Sequence, residues 1–253
     1  MKNTISISLL SVLTFAASSP GVLAQSNPSE FETFGEWCRN REQLTPEARH
    51  TVEMLLKAAR TQECDRAEET LTNLPGLILA ATQISDATPF ASLANLQHLD
   101  LSTNQITDVT PLANLVNLEW LQLNENEIED VAPLANLVNL EWLGLRDNQI
   151  DDVIPLANLA NLTHLSLGDN RIEDVTPIGD LTNLQNLDLS ENEIDDVTPL
   201  ANLVNLEWLF LFTNQIEDIT PLSSLTYLKE LYLSDNPIVD RTCPVQPESI
   251  CRF

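Results

Sequence analysis

An elongated α/β solenoid is the fold class this sequence predicts, and three observations predict it. A 22-residue unit recurs in eight in-phase copies between about residues 71 and 240. Each copy carries an L-x-L pair whose leucines alternate with polar or aromatic residues, the pattern of a half-buried strand. The segments on either side of the repeats break the pattern and hold all four cysteines. A unit of this size cannot bury its own leucines, and stacked neighbours can.

The chain opens with a leader. Residues 1–24 read MKNTISISLLSVLTFAASSPGVLA, with Lys2, an apolar run from Ile5 to Ala17, and Val22 and Ala24 as the small residues before a cleavage point. The run is shorter than the roughly 20 residues needed to span a bilayer. Cleavage before Gln25 would leave an exported chain, secreted or periplasmic, with no further membrane span. Residues 25–70 read as a helical cap. Thr45-Pro46 starts a helix with proline in its first turn, and Ala48, Val52, Leu55, Leu56 and Ala59 share one face. Asp65 is placed to cap a second short helix that leads into Leu71.

Residues 71–240 form the repeat array. Leu115 to Asn136 reads LVNLEWLQLNENEIEDVAPLAN, and Leu137 to Asn158 reads LVNLEWLGLRDNQIDDVIPLAN. The pairs Leu99/Leu101, Leu121/Leu123 and so on to Leu231/Leu233 recur every 22 residues, as do Asn104, Asn126, Asn148, Asn170, Asn192, Asn214 and Asn236. In the earliest copy Thr82 stands where the Asn should be. Prolines from Pro111 to Pro221 fix φ in the return segment and exclude regular helix there. An Asn at a fixed offset suits a buried amide ladder that satisfies turn backbone from one coil to the next. After the last copy, residues 241–253 form a short second cap.

The repeats resemble those of the leucine-rich repeat family, nearest the 22-residue type of bacterial internalins, with the pattern L-x-x-L-x-x-L-x-L-x-x-N-x-I-x-D-x-x-P-L. The resemblance implies a right-handed, curved horseshoe with a parallel sheet on its concave side and 3₁₀ or irregular turns on its convex side. The arrangement of caps is similar to that of secreted bacterial leucine-rich repeat proteins, cyanobacterial ones in particular. Seven strand steps of about 4.8 Å separate the two ends by roughly 34 Å, far beyond the ~7 Å reach of a disulfide. The pairing expected in an oxidising compartment is therefore Cys38 with Cys64 and Cys243 with Cys251. A split zinc site or a catalytic thiol would need neighbouring ligands that the sequence lacks.

Aligned copies turn positions into columns. The outward position before the first leucine reads His98, Trp120, Trp142, His164, Asn186, Trp208, Glu230. The next reads Asp100, Gln122, Gly144, Ser166, Asp188, Phe210, Tyr232, and the third reads Ser102, Asn124, Arg146, Gly168, Ser190, Phe212, Ser234. Three of the four tryptophans lie in one outward column, where folding does not require them, and exposed aromatics in a row mark contact surfaces. The competing reading is that neighbouring aromatics stack on one another, or that duplicated repeats carried Trp along. The candidate partner-binding residues are His98, Asp100, Trp120, Gln122, Asn124, Trp142, Arg146, His164, Asp188, Trp208, Phe210, Phe212 and Tyr232. At the first repeat the columns are Gly76, Ile78 and Ala80, a small apolar end expected to pack under the first cap.

Charge narrows the function. The chain has 253 residues, 38 acidic against 12 basic, for a net charge of -26. A nucleic-acid binder needs a basic face, and 6 glycines leave no room for a phosphate loop. Asp86, Asp108 and their copies to Asp240 recur in every copy, and the family resemblance implies that they cap the convex turns, a role that suits Asp as an acceptor of backbone N–H bonds. Glu129, Asp151, Glu173, Asp195 and Glu217 run beside them as a solvated face, with bridging by calcium the alternative. No cofactor or resident metal is expected. His98 and His164 have no nucleophile placed beside them, and the carboxylates are repeat-borne, so no enzyme is expected. The reading is a monomeric, non-catalytic binding protein for an extracellular or envelope protein. Its alternative is carbohydrate or cell-wall glycan binding, with Trp120, Trp142 and Trp208 on sugar rings and Asp100, Gln122, Asn124 and Asp188 on hydroxyls.

Overall fold

The structure, a computed structural model, describes residues 31–253, so the leader over 1–24 and its cleavage point lie outside the described residues. Three helices come first: α1 (Phe34–Arg39), α2 (Pro46–Ala58) and α3 (Cys64–Thr72). Nine strands follow: β1 (Gly76–Ile78), β2 (His98–Asp100), β3 (Trp120–Gln122), β4 (Trp142–Gly144), β5 (His164–Ser166), β6 (Asn186–Asp188), β7 (Trp208–Phe210), β8 (Glu230–Tyr232) and β9 (Cys251–Arg252). All pair in parallel, in chain order, in one open sheet. The register is the repeat itself, with Trp120 opposite both His98 and Trp142, and Leu121 opposite Leu99 and Leu143. Strands β2 to β8 are each three residues long. The chain must turn at both ends of every strand, and Pro at the start of each return segment (Ala132–Asn136, Ile154–Asn158) allows only a short 3₁₀ turn. Leu121, Leu123, Ile128, Val131, Leu134, Leu137 and Leu140 of one coil are all buried, and the equivalent apolar positions are buried in every coil from Leu99 to Leu228. Isolated coils would expose these side chains, each worth roughly 1.5–3 kcal/mol when buried.

The corner after each strand is held by asparagine. Asn126 Oδ1 accepts the N–H of Ile106 in the preceding coil at 3.0 Å, and its Nδ2 donates to the carbonyls of Leu101 (3.1 Å), Leu123 (3.0 Å) and Asn124 (3.2 Å). Asn104, Asn148, Asn170, Asn192, Asn214 and Asn236 each accept the N–H of the isoleucine one coil back in the same way. The residue before each Asn takes a left-handed backbone: φ is 57° at Thr103, 55° at Glu125 and 54° at Thr213. That conformation costs a non-glycine residue roughly 1–2 kcal/mol. It is held because it aims consecutive N–H groups at the next coil, as Glu125 donates to Arg146 O and Asn126 to Asp147 O.

Both ends are closed. Thr45 caps α2 through the Ala48 N–H, with Pro46 at the first position as expected, and Ala48, Val52, Leu55, Leu56 and Ala59 are buried. Where the first coil has Thr82 in place of Asn, the Thr82 hydroxyl donates to Leu79 O (2.7 Å), and α2 holds the coil from outside: Thr51 Oγ1 donates to Asp86 O (2.7 Å) and His50 Nε2 bonds Thr82 O (2.7 Å). The fourth tryptophan, Trp37, is core within this cap. Asp65 does not cap α3. The helix begins at Cys64 with Glu63 before it, and Asp65 inside the first turn pairs with exposed Arg39. At the far end β9 covers the edge of β8, with Arg252 O accepting the Leu233 N–H at 2.7 Å. Cys38 bonds Cys64 and Cys243 bonds Cys251, with Cα separations of 5.5 and 5.8 Å. No helix among the described residues is long and apolar enough to cross a membrane.

Replacing Asn126 by Ala leaves the buried Ile106 N–H without its partner and removes one of the donors to each of the Leu101, Leu123 and Asn124 carbonyls. The expected loss in chemical denaturation is about 2–4 kcal/mol. A loss below about 0.5 kcal/mol, the size of an ordinary surface substitution, would refute the ladder's structural role.

Candidate partner-binding face

The strand pleat that buries Leu121 and Leu123 turns Trp120, Gln122 and Asn124 to the other side of the sheet. The columns read from the sequence therefore line one face. His98 is exposed, Trp142 is 38% exposed, and Trp120, His164, Trp208, Phe210, Phe212 and Tyr232 are half-buried. The tryptophans are less free than an outward register alone implies, because cross-strand neighbours cover them. Trp120 and Trp142 meet edge to face, with ring centroids 5.1 Å apart, and His164 continues the row 5.8 Å from Trp142. Phe210 and Tyr232 stack at 4.8 Å. Trp208 carries Lys229 over its ring, with Nζ 4.6 Å from the centroid.

Between the two aromatic clusters lies a polar bridge. Arg146 reaches across β5 to Asp188 Oδ2 (3.4 Å), Ser190 Oγ (3.1 Å) and Glu191 Oε1 (2.6 Å). Gly168 leaves it the room: a Cβ there would lie 2.7 Å from Arg146 Nη1. Burial opposes the charge on Arg146, but the Glu191 and Asp188 carboxylates outweigh it and hold the guanidinium above its ordinary pKa. Nearby Asp169 is pushed up, first by partial burial and then by Asp147 and Glu191, with Arg146 acting against them.

Several of the other predicted contact groups are engaged within the sheet. Asp100 accepts both the N–H (3.0 Å) and the hydroxyl (2.7 Å) of Ser102, and Asn124 Oδ1 accepts the Arg146 N–H (2.8 Å). Gln122 lies over Gly144, with its Oε1 covered and accepting no hydrogen bond. At the first repeat the expectation of burial fails, since Ile78 is 77% exposed. The first cap packs on the return turn through α1 and α2 and does not reach over β1. Leu74, Pro75, Gly76, Ile78, His98 and Trp120 line an apolar hollow there.

The sequence reading also passed over the carboxylates that precede the tryptophans. Glu119, Glu141 and Glu207 lie one residue before Trp120, Trp142 and Trp208, and the E-W dipeptide in each copy was the signal. On the return side, the Asp column caps its turns. Asp108, Asp130 and Asp152 each accept the N–H two residues on at 2.8 Å. The neighbouring acids from Glu129 to Glu217 are exposed. Among the described residues no group of three or more His, Cys, Asp or Glu side chains is placed to hold a metal ion.

Comparison with known proteins agrees with this architecture. A family model described as "Leucine Rich repeats (2 copies)" matches residues 72–114, 160–202 and 204–243. The solved internalin C2 of Listeria monocytogenes is 36% identical with a TM-score of 0.73, over 79% of this chain and 89% of its own. Internalin inlF of the same organism is 33% identical with a TM-score of 0.69, over 81% of this chain and 67% of its own. The leucine-rich repeat ectodomain of a plant membrane receptor kinase from Arabidopsis thaliana, solved in complex with CASPARIAN STRIP INTEGRITY FACTOR 2, is 29% identical with a TM-score of 0.58. That match covers 65% of this chain and 21% of the ectodomain. No curated protein sequence matches the chain.

Two outcomes follow from the face. Trp120→Ala with Trp142→Ala removes one edge-to-face pair and partly exposed area, and should cost about 1–2 kcal/mol with the fold retained. Leu121→Ala, which opens a core cavity, should cost about 3 kcal/mol or more. Equal losses in thermal melts would show the tryptophans to be core. Asp174 and Asp196 are held below the ordinary aspartate range by the Thr176 and Thr198 hydroxyls and then by the same residues' N–H groups. A depressed folded pKa contributes stability that is full above the unfolded value of about 3.9 and is lost as pH falls through the folded one. Carboxyl NMR titration should show Thr176→Val moving Asp174 back up, and an unchanged midpoint would contradict the assignment.

Proposed function

The chain belongs to the leucine-rich repeat family, in its internalin-like form, and on that premise we propose that it is a non-catalytic, extracytoplasmic binding protein that holds a protein partner on its sheet face. One observation carries the reading. The Trp120–Trp142–His164 row crosses three adjacent strands on the face opposite the leucine core, and its middle ring is still 38% exposed. Aromatic side chains held rigid by their neighbours make good anchors, since little rotamer freedom is lost on binding. The Phe210, Phe212 and Tyr232 cluster adds a second anchor beyond the Arg146 bridge. His98, Asp100, Gln122, Asn124 and Asp188 supply the polar surround.

Export is supported by the leader-like first residues and by two disulfides, which persist in oxidising compartments. Secretion and periplasmic residence both fit, and a monomer is the assembly proposed. The plant ectodomain in the comparison was solved in complex with CASPARIAN STRIP INTEGRITY FACTOR 2, and a bound partner on a leucine-rich repeat surface accords with the reading. Glycan binding through the Trp column is the competing reading. The 83° angle between Trp120 and Trp142 denies it a coplanar platform, and Asp100 and Asn124 are already hydrogen-bonded within the sheet.

Affinity capture tests the proposal. The chain, beginning at Gln25, should retain a species from the extracellular or envelope fraction of its source, and the Trp120→Ala/Trp142→Ala/Trp208→Ala variant should not. Prior heat denaturation of the extract should abolish capture. Capture that survives heating would identify a glycan, and equal capture by both baits would place the site elsewhere.

A further inference from the structure

The protein contains its own demonstration of what an E-W pair holds. At Glu207–Trp208, Lys229 of the next coil places its ammonium 2.6 Å from Glu207 Oε2 and 4.6 Å from the centroid of Trp208. Carboxylate and ring face together form a cradle for one cation, and the repeat copies the dipeptide, with Trp142 packed on Trp120 and His164 on Trp142 where Glu230 follows Trp208. Glu119–Trp120 and Glu141–Trp142 stand at the same positions of their coils, on β3 and β4 and the residues just before them. There the position that Lys229 occupies holds Glu141 in one case and Thr163 in the other. Among the described residues neither Glu119 nor Glu141 pairs with a cation. The remaining cations of the face are also engaged, Arg146 with Asp188 and Glu191, and Arg252 with Glu230. On the other side of the row, Glu125, Asp147 and Asp169 follow one another at strand spacing. The Trp120–Trp142 pair therefore runs between two lines of carboxylates in a chain of net charge -26.

We propose that the Glu119–Trp120 and Glu141–Trp142 cradles receive lysine or arginine side chains of the partner, so that the ligand is a basic protein segment docked across β3 and β4. The inference rests on the sheet face being the binding surface, and it adds the chemistry of what that surface takes. The full net charge attracts such a segment from a distance, and the cradles fix where its cations sit. Cation–π contact and a partly shielded carboxylate supplement one another at this geometry.

A tetralysine peptide titrated into the full chain tests this, read through the indole N–H resonances of the four tryptophans. Trp120 and Trp142 should shift, whereas Trp37 in the cap core and Trp208 beneath Lys229 should stay. The same peptide with acetylated lysines should shift none. Glu119→Gln with Glu141→Gln should weaken the response about tenfold. Glu129→Gln with Asp151→Gln, which removes equal charge from the exposed return side, should leave it nearly unchanged. Lys229→Met should make Trp208 responsive, since the third cradle is then open. No shift at Trp120 and Trp142, or equal weakening by both pairs of charge removals, would overturn the proposal. If a captured partner is lost with the tryptophan variant but kept by Glu119→Gln/Glu141→Gln, the cationic reading fails while the binding face stands.

Discussion

The molecule depends on one constraint: each coil must reverse direction after a three-residue strand without leaving buried backbone unpaired. A hairpin cannot join parallel strands, and the proline in each return segment excludes a regular helical crossover. The asparagine amide does it, since one side chain offers an acceptor and two donors at the same point. Asn126 serves the N–H of Ile106 and the carbonyls of Leu101 and Leu123, which belong to two different coils. The ladder thereby joins neighbouring repeats as firmly as it turns each one. From Thr103 to Thr213 the left-handed residue before each Asn is tolerated because its own N–H bonds the next coil. The caps answer the same demand at the ends, with α2 bonding the Thr82 and Asp86 carbonyls of the first coil and β9 pairing the last full strand.

With folding assigned to leucine, isoleucine, asparagine and the turn aspartates, the outward strand positions are free to vary, and they do. Each is displayed on a rigid backbone with a neighbour about 4.8 Å away on either side. Side chains on the face consequently interact with their copies before they meet any partner. Trp120 packs on Trp142, Phe210 on Tyr232, Lys229 on Trp208 and Arg146 on Glu191. This pre-packing lowers the entropy lost on binding and narrows what can bind. It leaves aromatic area and carboxylates exposed while Lys229, Arg146 and Arg252 are engaged with acids of the face, which is the basis of the proposed preference for a cationic partner.

Much of this was legible in the residues. The period, the strand register, the Asn ladder, the Thr45-Pro46 helix start and the turn role of the Asp column all follow from repetition, because a position copied at fixed spacing must occupy equivalent places in a stack. That the candidate residues share the face opposite the leucine core was legible for the same reason. What could not be read was pairing across the sheet in detail. That Arg146 crosses a glycine to reach two carboxylates depends on which rotamers fit over Gly168. The openness of the first strand was misread because composition does not say which side of the coil a cap covers. Asp65 sits inside α3 and not ahead of it, because the helix starts at the disulfide-bonded Cys64.

The sequence by itself determined the architecture, since in a solenoid the contacts are nearest-neighbour and one repeat specifies the next. Only the tertiary structure decided which outward groups are spent on one another and which remain for a partner. Glu119, Glu141 and Glu207 are the same letter in the same column. Their difference lies in what the following coil sets above them, glutamate, threonine or lysine, and in whether that side chain can reach the carboxylate and the ring together.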